Sequence, residues 1–457
     1  MARSAPPIVS QDPPLLLVPP PGPRSRAQAA RLQRVECPGF GHRRKLRAEA
    51  AGTPAGESEA DGPIVLARGA GANLWDVDDN RYVDLVAGFG AVALGHGALD
   101  AVLARQGARL VQGLGDVYAT DVKLELLERL ARLHPSGAGQ VLLGQSGADA
   151  VTAALKTALL ATGRPGVLAF DGAYHGLSYA PLAACGFRAS FREPFQAQLS
   201  PHVRFAPYPG LRGASVAAAL ALVEQALRAG DIGAVLCEPV LGRGGCVVPP
   251  GHFLGELCRL AHAHGALVVA DEIWTGMGRA GAVSLALTQQ APVDILCFGK
   301  ALGAGLPISA CVASEAVMEA WTRHGEVVHT STHVGAPLAC AAALALLDWL
   351  DGPGRLEDLR ARGAEARARL RQLLAGAPGF VEVRGSGLML GVELDGAGSA
   401  VRAARALVGR GYLALAGGLA GEVLTLTPPF DLSPVLFEGF GVALGASLEA
   451  AAARGAR

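Results

Sequence analysis

Between about residues 140 and 310, short apolar runs alternate with helical patterns, and this alternation constrains the fold more than any other feature of the chain. The runs at 140–143, 167–170, 234–237, 267–270 and 295–298 are too short for helices and too continuous for strands with one wet face. A strand that is apolar at nearly every position is buried on both sides. A mostly parallel sheet flanked by helices provides that burial, so the expected fold class is α/β.

The flanking sequence reads differently. Short alternating runs at 64–68, 73–77 and 81–85, with Asp78, Asp79 and Asn80 at a turn, predict a small antiparallel meander. Helical patterns at 98–112 and 123–133 follow. Beyond the sheet, helices at 337–350 and 356–374 lead to a strand pair at 381–383 and 388–392, a second α+β unit that would share its core with the meander. The expected division is a disordered proline-rich tail over 1–30, the first part of a small domain over 31–87, a large domain over 88–335, and the rest of the small domain over 336–457. A soft stretch at 50–63 reads as a surface loop.

Composition removes several function classes. Formal net charge is zero, so nothing points to nucleic acid or an anionic membrane as partner. No uninterrupted apolar run approaches the roughly 18 to 20 residues of a membrane span. The eight cysteines include no CxxC pair, and five of them, Cys237, Cys258, Cys297, Cys311 and Cys340, lie in apolar segments. They read as small core residues in a reducing compartment, the cytoplasm, and no metal site is expected.

Ligands of an open parallel sheet sit beyond the carboxyl ends of its strands, so the residues after each apolar run are read as a set. Lys300 follows the run at 295–298, an odd place for an ammonium unless it is used. Ser146, Gly147 and Ala148 open a helix whose N-terminus suits a phosphate, although Ser146 serves equally well as an ordinary N-cap. Tyr174 and His175 follow the run at 167–170, where an aromatic ring either covers a planar ligand or simply packs. Glu238 and Asp271 end the next two strands. Two carboxylates alone would allow a metal or an acid/base pair, but they would leave Lys300 unexplained. A pyridinium nitrogen accounts for both, since a carboxylate keeps it protonated while the lysine forms a Schiff base and shuttles the proton.

These motifs, together with Gly276, Gly278 and Arg279 after Asp271 and with Gly303, Gly305 and Pro307 after Lys300, resemble in order and spacing the class III pyridoxal-phosphate aminotransferases, particularly the 4-aminobutyrate and ω-amino acid enzymes. The resemblance runs from about residue 33 nearly to the C-terminus. It implies a fold-type-I enzyme in which Lys300 holds the cofactor as an internal aldimine and Asp271 pairs with the ring nitrogen. Tyr174 and Ile273 would cover the two ring faces, with Ser146, Gly147, Ala148, His175 and Glu238 also in the cofactor site. Thr332 resembles a threonine that reaches the phosphate in the neighbouring subunit, which implies a homodimer with shared sites. Arg384 resembles an arginine that clamps the substrate α-carboxylate, the alternative being a surface ion pair.

Four positions depart from the family pattern. Trp274 replaces a common glutamine, Leu177 an arginine typical of 4-aminobutyrate and acetylornithine enzymes, Ala336 an asparagine and Asp149 a glutamate. None removes a catalytic group. The expected activity is ping-pong transfer of an amino group from an amino acid or ω-amine to a 2-oxo acid, 2-oxoglutarate or pyruvate. A mutase, racemase or decarboxylase on the same fold is the alternative, and a silent binding relative a more distant one.

Overall fold

The computed structural model describes residues 10–50, 63–323 and 326–455. Its centre is a seven-stranded sheet built from β1 (Gly139–Gly144), β2 (Gly166–Phe170), β3 (Val203–Ala206), β4 (Ile232–Cys237), β5 (Leu267–Asp271), β6 (Ile295–Phe298) and β7 (Ser309–Ser314). The spatial order is β1-β7-β6-β5-β4-β2-β3, with β7 antiparallel to both of its neighbours and the ladders from β6 to β3 parallel.

The continuous apolar runs follow from two-sided burial. Within β4, Leu236 faces the layer built on helix Gly147–Thr162, whereas Cys237 faces the layer containing helices Phe253–Ala263 and Pro337–Leu350. Val269 and Val268 divide in the same way in β5, as do Cys297 and Leu296 in β6. Five of the seven strands were legible as apolar runs. The other two, β3 and β7, were not: β3 is a four-residue edge strand containing Arg204, and β7 (Ser-Ala-Cys-Val-Ala-Ser) is made of small residues and takes its strand state from a partner on each side.

A second core unites the two ends of the chain. Ala72, Val83 and Leu85, from the predicted meander, pack with Val383, Leu390, Val392, Leu424, Phe437 and Phe440 from the C-terminal segment. The meander strands Leu66–Ala70, Asn73–Asp76 and Arg81–Asp84 are completed by Tyr412–Leu413, which runs parallel to the third.

One expectation requires correction. The tail is ordered from Ser10 onward instead of disordered to residue 30. Asn73 accepts from the Ser10 hydroxyl at 2.7 Å and donates to the Asp12 carbonyl at 2.9 Å, Leu15 bridges Arg81, and Asp78 caps helix Pro23–Val35 by accepting from the N–H groups of Arg24 and Ser25. Buried Asn and Asp side chains on the meander supply the backbone partners that the prolines cannot. Among the described residues one helix, interrupted by Glu438 and Glu449, is by length and composition long and apolar enough to cross a bilayer, with a mean hydropathy of 1.4 over Pro434–Ala453. In the fold it buries Leu436, Phe437, Phe440 and Leu444 in the second core. The expected loop at 50–63 falls almost wholly outside the described residues.

Candidate active site

The parallel ladders bring several strand ends into one row. Cys237 pairs with Ala270, and Asp271 with Cys297, so Glu238, Asp271 and the Gly299-Lys300 turn emerge side by side. Lys300 has a positive φ of 43°, an uncommon conformation for a residue with a side chain, and it is reached through an extended glycine. The glycine also eases a close approach, since a Cβ on Gly299 would lie 3.3 Å from Ile273 Cγ2.

Lys300 is partly buried, with its Nζ 4.4 Å from the centroid of the Trp274 ring. Burial lowers its pKa from 10.5 to about 8, against the upward pull of Asp271 and Glu238 and with a further downward push from Arg243. The charged form is the one penalised, so the free, nucleophilic amine prevails above about pH 8 instead of above 10.5. The rate at which the apoprotein bonds covalently to pyridoxal phosphate is therefore expected to rise with pH and to reach half its maximum near pH 8. A stopped-flow absorbance profile still climbing at pH 10 would contradict this.

Asp271 is almost fully buried. Its Oδ2 lies 2.7 Å from His175 Nδ1, and its Oδ1 accepts from the Ile273 N–H at 3.1 Å. The opposite ring nitrogen of His175, Nε2, is buried and has no partner among the described residues. Glu238 is placed differently from Asp271: its two oxygens accept from the N–H groups of Tyr174 at 2.8 Å and Gly242 at 3.0 Å. Burial, opposed by His175 and reinforced by Asp271, raises its pKa to about 7. Its position makes it a clamp that holds two loops of the site, one carrying Tyr174 and the other opening at Gly242. Tyr208 secures the same turn by donating its hydroxyl to the Glu238 carbonyl.

At the end of β1, Ser146 is the N-cap of helix Gly147–Thr162 and part of a capping box: its hydroxyl accepts from the Asp149 N–H, and Asp149 accepts from the N–H groups of Gln145 and Ser146. The first-turn N–H groups of Gly147 and Ala148 have no intrahelical acceptor, so this end of the helix remains available to an anion. Ile273 lies directly against it, since a Cβ on Gly147 would come within 2.9 Å of its side chain.

Two expected site residues are not brought in by this chain. The Arg384 guanidinium pairs with Glu382 at 2.6 Å and with Glu393, while its Nε donates to the Gly245 carbonyl at 2.7 Å. In this structure the Arg384 guanidinium is held in an ion pair, the alternative to the clamp, with two partly exposed carboxylates. The Thr332 side chain is exposed and makes no hydrogen bond among the described residues, and its carbonyl accepts from Gln112 at 2.9 Å.

Sequence reasoning passed over Arg243. Its guanidinium lies 4.8 Å from the centroid of the Tyr174 ring and 5.0 Å from that of Phe187. The available signal was an arginine set among glycines in Gly242-Arg243-Gly244-Gly245, immediately after the Glu238 strand end. Among the described residues no group of three or more His, Cys, Asp or Glu side chains is arranged to hold a metal ion.

Comparison with known proteins gives this arrangement its family. The sequence profile of the class-III aminotransferases matches residues 55–435. The chain belongs to the class-III aminotransferases. It is 37% identical over 336 residues to the acetylornithine aminotransferase of Methanopyrus kandleri, covering 73% of this chain and 81% of that protein. It is 33% identical to the 5-aminovalerate aminotransferase of Pseudomonas aeruginosa, covering 80% and 86%. The ornithine aminotransferase of Toxoplasma gondii superposes with a TM-score of 0.77 at 28% identity, covering 86% and 92%. An amine transaminase from an uncultivated Pseudomonas species, solved with pyridoxal phosphate bound, also gives 0.77 at 28% identity, covering 88% and 97%.

Like its family, this fold-type-I aminotransferase uses pyridoxal 5'-phosphate, which supplies an electron sink for the bond made and broken at the substrate carbon. The residues present fit that group. Gly147 and Ala148 offer N–H groups to a phosphate, the Asp271 carboxylate offers a negative charge to a ring nitrogen, and Lys300 offers an amine. The mutase, racemase, decarboxylase and silent-protein alternatives find no counterpart among these relatives.

Proposed function

We propose that this aminotransferase takes the amino group from a chain-terminal carbon of a small amino acid and delivers it to a 2-oxo acid, 2-oxoglutarate or pyruvate, in two half-reactions. The observation that carries the chemistry is the juxtaposition of Lys300, whose amine is freed near pH 8, with the buried Asp271 carboxylate at the adjoining strand end. Lys300 would attach the cofactor and move the proton at the substrate carbon. Asp271, oriented by His175, would keep the ring nitrogen protonated, and Tyr174 and Ile273 would hold the ring between them. The choice of a terminal amine rests on the names of the relatives: acetylornithine, 5-aminovalerate and ornithine each carry an amine and a carboxylate at opposite ends of a short chain.

The same proposal includes a cytoplasmic homodimer in which the exposed Thr332 reaches the phosphate held by the second subunit. It also includes the division into a large domain over 88–335 and a small one drawn from 31–87 and 336–457. The test is the visible absorbance of the purified holoenzyme during addition of candidate amines one at a time. An ω-amino acid is expected to bleach the band and 2-oxoglutarate or pyruvate to restore it. A band that no amine bleaches overturns the proposal.

A further inference from the structure

Arg243 is a cation of the site without a counter-charge among the described residues. Among the described residues it forms no ion pair and no side-chain hydrogen bond, whereas Arg384, on the other side of the same glycine loop, is bound to two carboxylates. The loop carrying Arg243 is fixed from several directions. Leu241 and Val247 exchange backbone hydrogen bonds at 3.0 and 3.1 Å across its base, the Gly242 N–H donates to Glu238, and the Gly418 N–H donates to the Arg243 carbonyl at 2.9 Å. Gly242 also lies flat on Trp274, where a Cβ would come within 2.4 Å of the ring, and Trp274 is the side chain beneath the Lys300 amine. The loop thus stands one indole away from the reacting nitrogen, and its guanidinium rests on Tyr174.

The surroundings of that guanidinium are cationic. Burial lowers the Arg243 pKa, Tyr174 pulls it upward, and Arg43 and Arg188 press it down further. The carboxylates nearby are committed elsewhere. Glu238 accepts from two N–H groups, and Glu422 accepts from the Ala420 N–H at 2.7 Å beside Arg188. A planar guanidinium partly withdrawn from water, with no anion of its own, is suited to a carboxylate brought by a ligand, which it can bind through two parallel hydrogen bonds. We propose that Arg243 is the residue that receives the substrate's carboxylate, and that it selects amines and 2-oxo acids bearing a carboxylate over plain alkylamines and uncharged carbonyl compounds. The inference rests on the transamination proposed above and names the specificity residue of that site.

The experiment compares the holoenzyme with Arg243→Ala and Arg243→Lys in the amine half-reaction, using a series of ω-amino acids and alkylamines matched in length. A separate titration measures binding of valerate, a carboxylate without an amine, by the change in cofactor absorbance. For Arg243→Ala, the ratio of kcat/KM for the ω-amino acid to that for the matched alkylamine is expected to fall on the order of 100-fold, mostly through KM, and valerate to bind about 100-fold more weakly. Arg243→Lys, which keeps the charge and loses the fork, is expected to fall between the two, and it carries the test alone if the alanine variant does not fold. An unchanged ratio, or an equal loss for both substrates, overturns the assignment while leaving transamination intact. A wild-type enzyme that reacts with no amine overturns the proposed function, and valerate binding then decides the role of Arg243 separately.

Discussion

Lys300→Ala is expected to abolish turnover while leaving a folded protein that still holds its cofactor. The argument separates two tasks in the site. Retention depends on backbone groups, the free N–H groups of Gly147 and Ala148 at the start of a 16-residue helix, and neither involves the lysine. Chemistry depends on an amine that loses its proton near pH 8 instead of above 10.5 and can pass a proton on, which is what burial beside Trp274 and the strand ends produces. Loss of the proton carrier alone costs on the order of 10²–10⁴-fold, and loss of the covalent attachment point adds to it. Folding should not suffer, because Lys300 sits at positive φ in a turn and its charged form opposes burial. The check is a single-turnover assay with an ω-amino acid, alongside cofactor release by acid. Wild-type rates in this variant would refute the mechanism.

Asp271→Ala is expected to fold and to lose roughly 10²–10³-fold in kcat, the usual scale for removing one preorganised charge from a site shielded from water. Asp271 is 4% exposed and has two structural duties besides its charge, towards His175 Nδ1 and the Ile273 N–H. Truncation therefore leaves His175 without a partner at either ring nitrogen, at a stability cost of about 1–3 kcal/mol. Asp271→Asn separates the two effects, since its amide oxygen can still accept from the Ile273 N–H and its NH2 group can donate to His175 Nδ1 in the other ring tautomer, while the side chain carries no charge. Its melting temperature should return toward that of the parent while its kcat stays low. Near-normal kcat for the asparagine variant would mean that the carboxylate acts only by orienting its neighbours.

The residues behind these two predictions were legible in the sequence for a local reason. Each stands within a few positions of a strand end marked by an apolar run, and a strand apolar on both faces has few places to go. Order along the chain and the small residues at the turns then supplied the resemblance. Ser146 is the helix cap that its place before the helix allowed, while Gly147 and Ala148, beside it, kept the free donors. Glu238 was found at the right strand end, yet its carboxylate faces the N–H groups of two loops, a duty that no spacing encodes.

The larger departures have a common physical origin. Arg384 was expected as the clamp from its neighbours in sequence, and what the sequence did not show is that its guanidinium pairs with Glu382 two residues away and Glu393 on the paired strand. Arg243 was unremarked because its role depends on the rings that fold against it and on the absence of a counter-ion, and both are matters of distance in space. Strand β7 became a strand through ladders on both sides, and the ordered N-terminal segment through side chains of the meander more than fifty residues on. Sheet class, family, and the lysine and carboxylate proposed for the chemistry were written in local pattern, because periodicity and burial are properties of short stretches of chain. That Arg243 stays unpaired was settled by packing, because electrostatic pairing falls off over a few ångströms and only the folded chain decides which charges come that close.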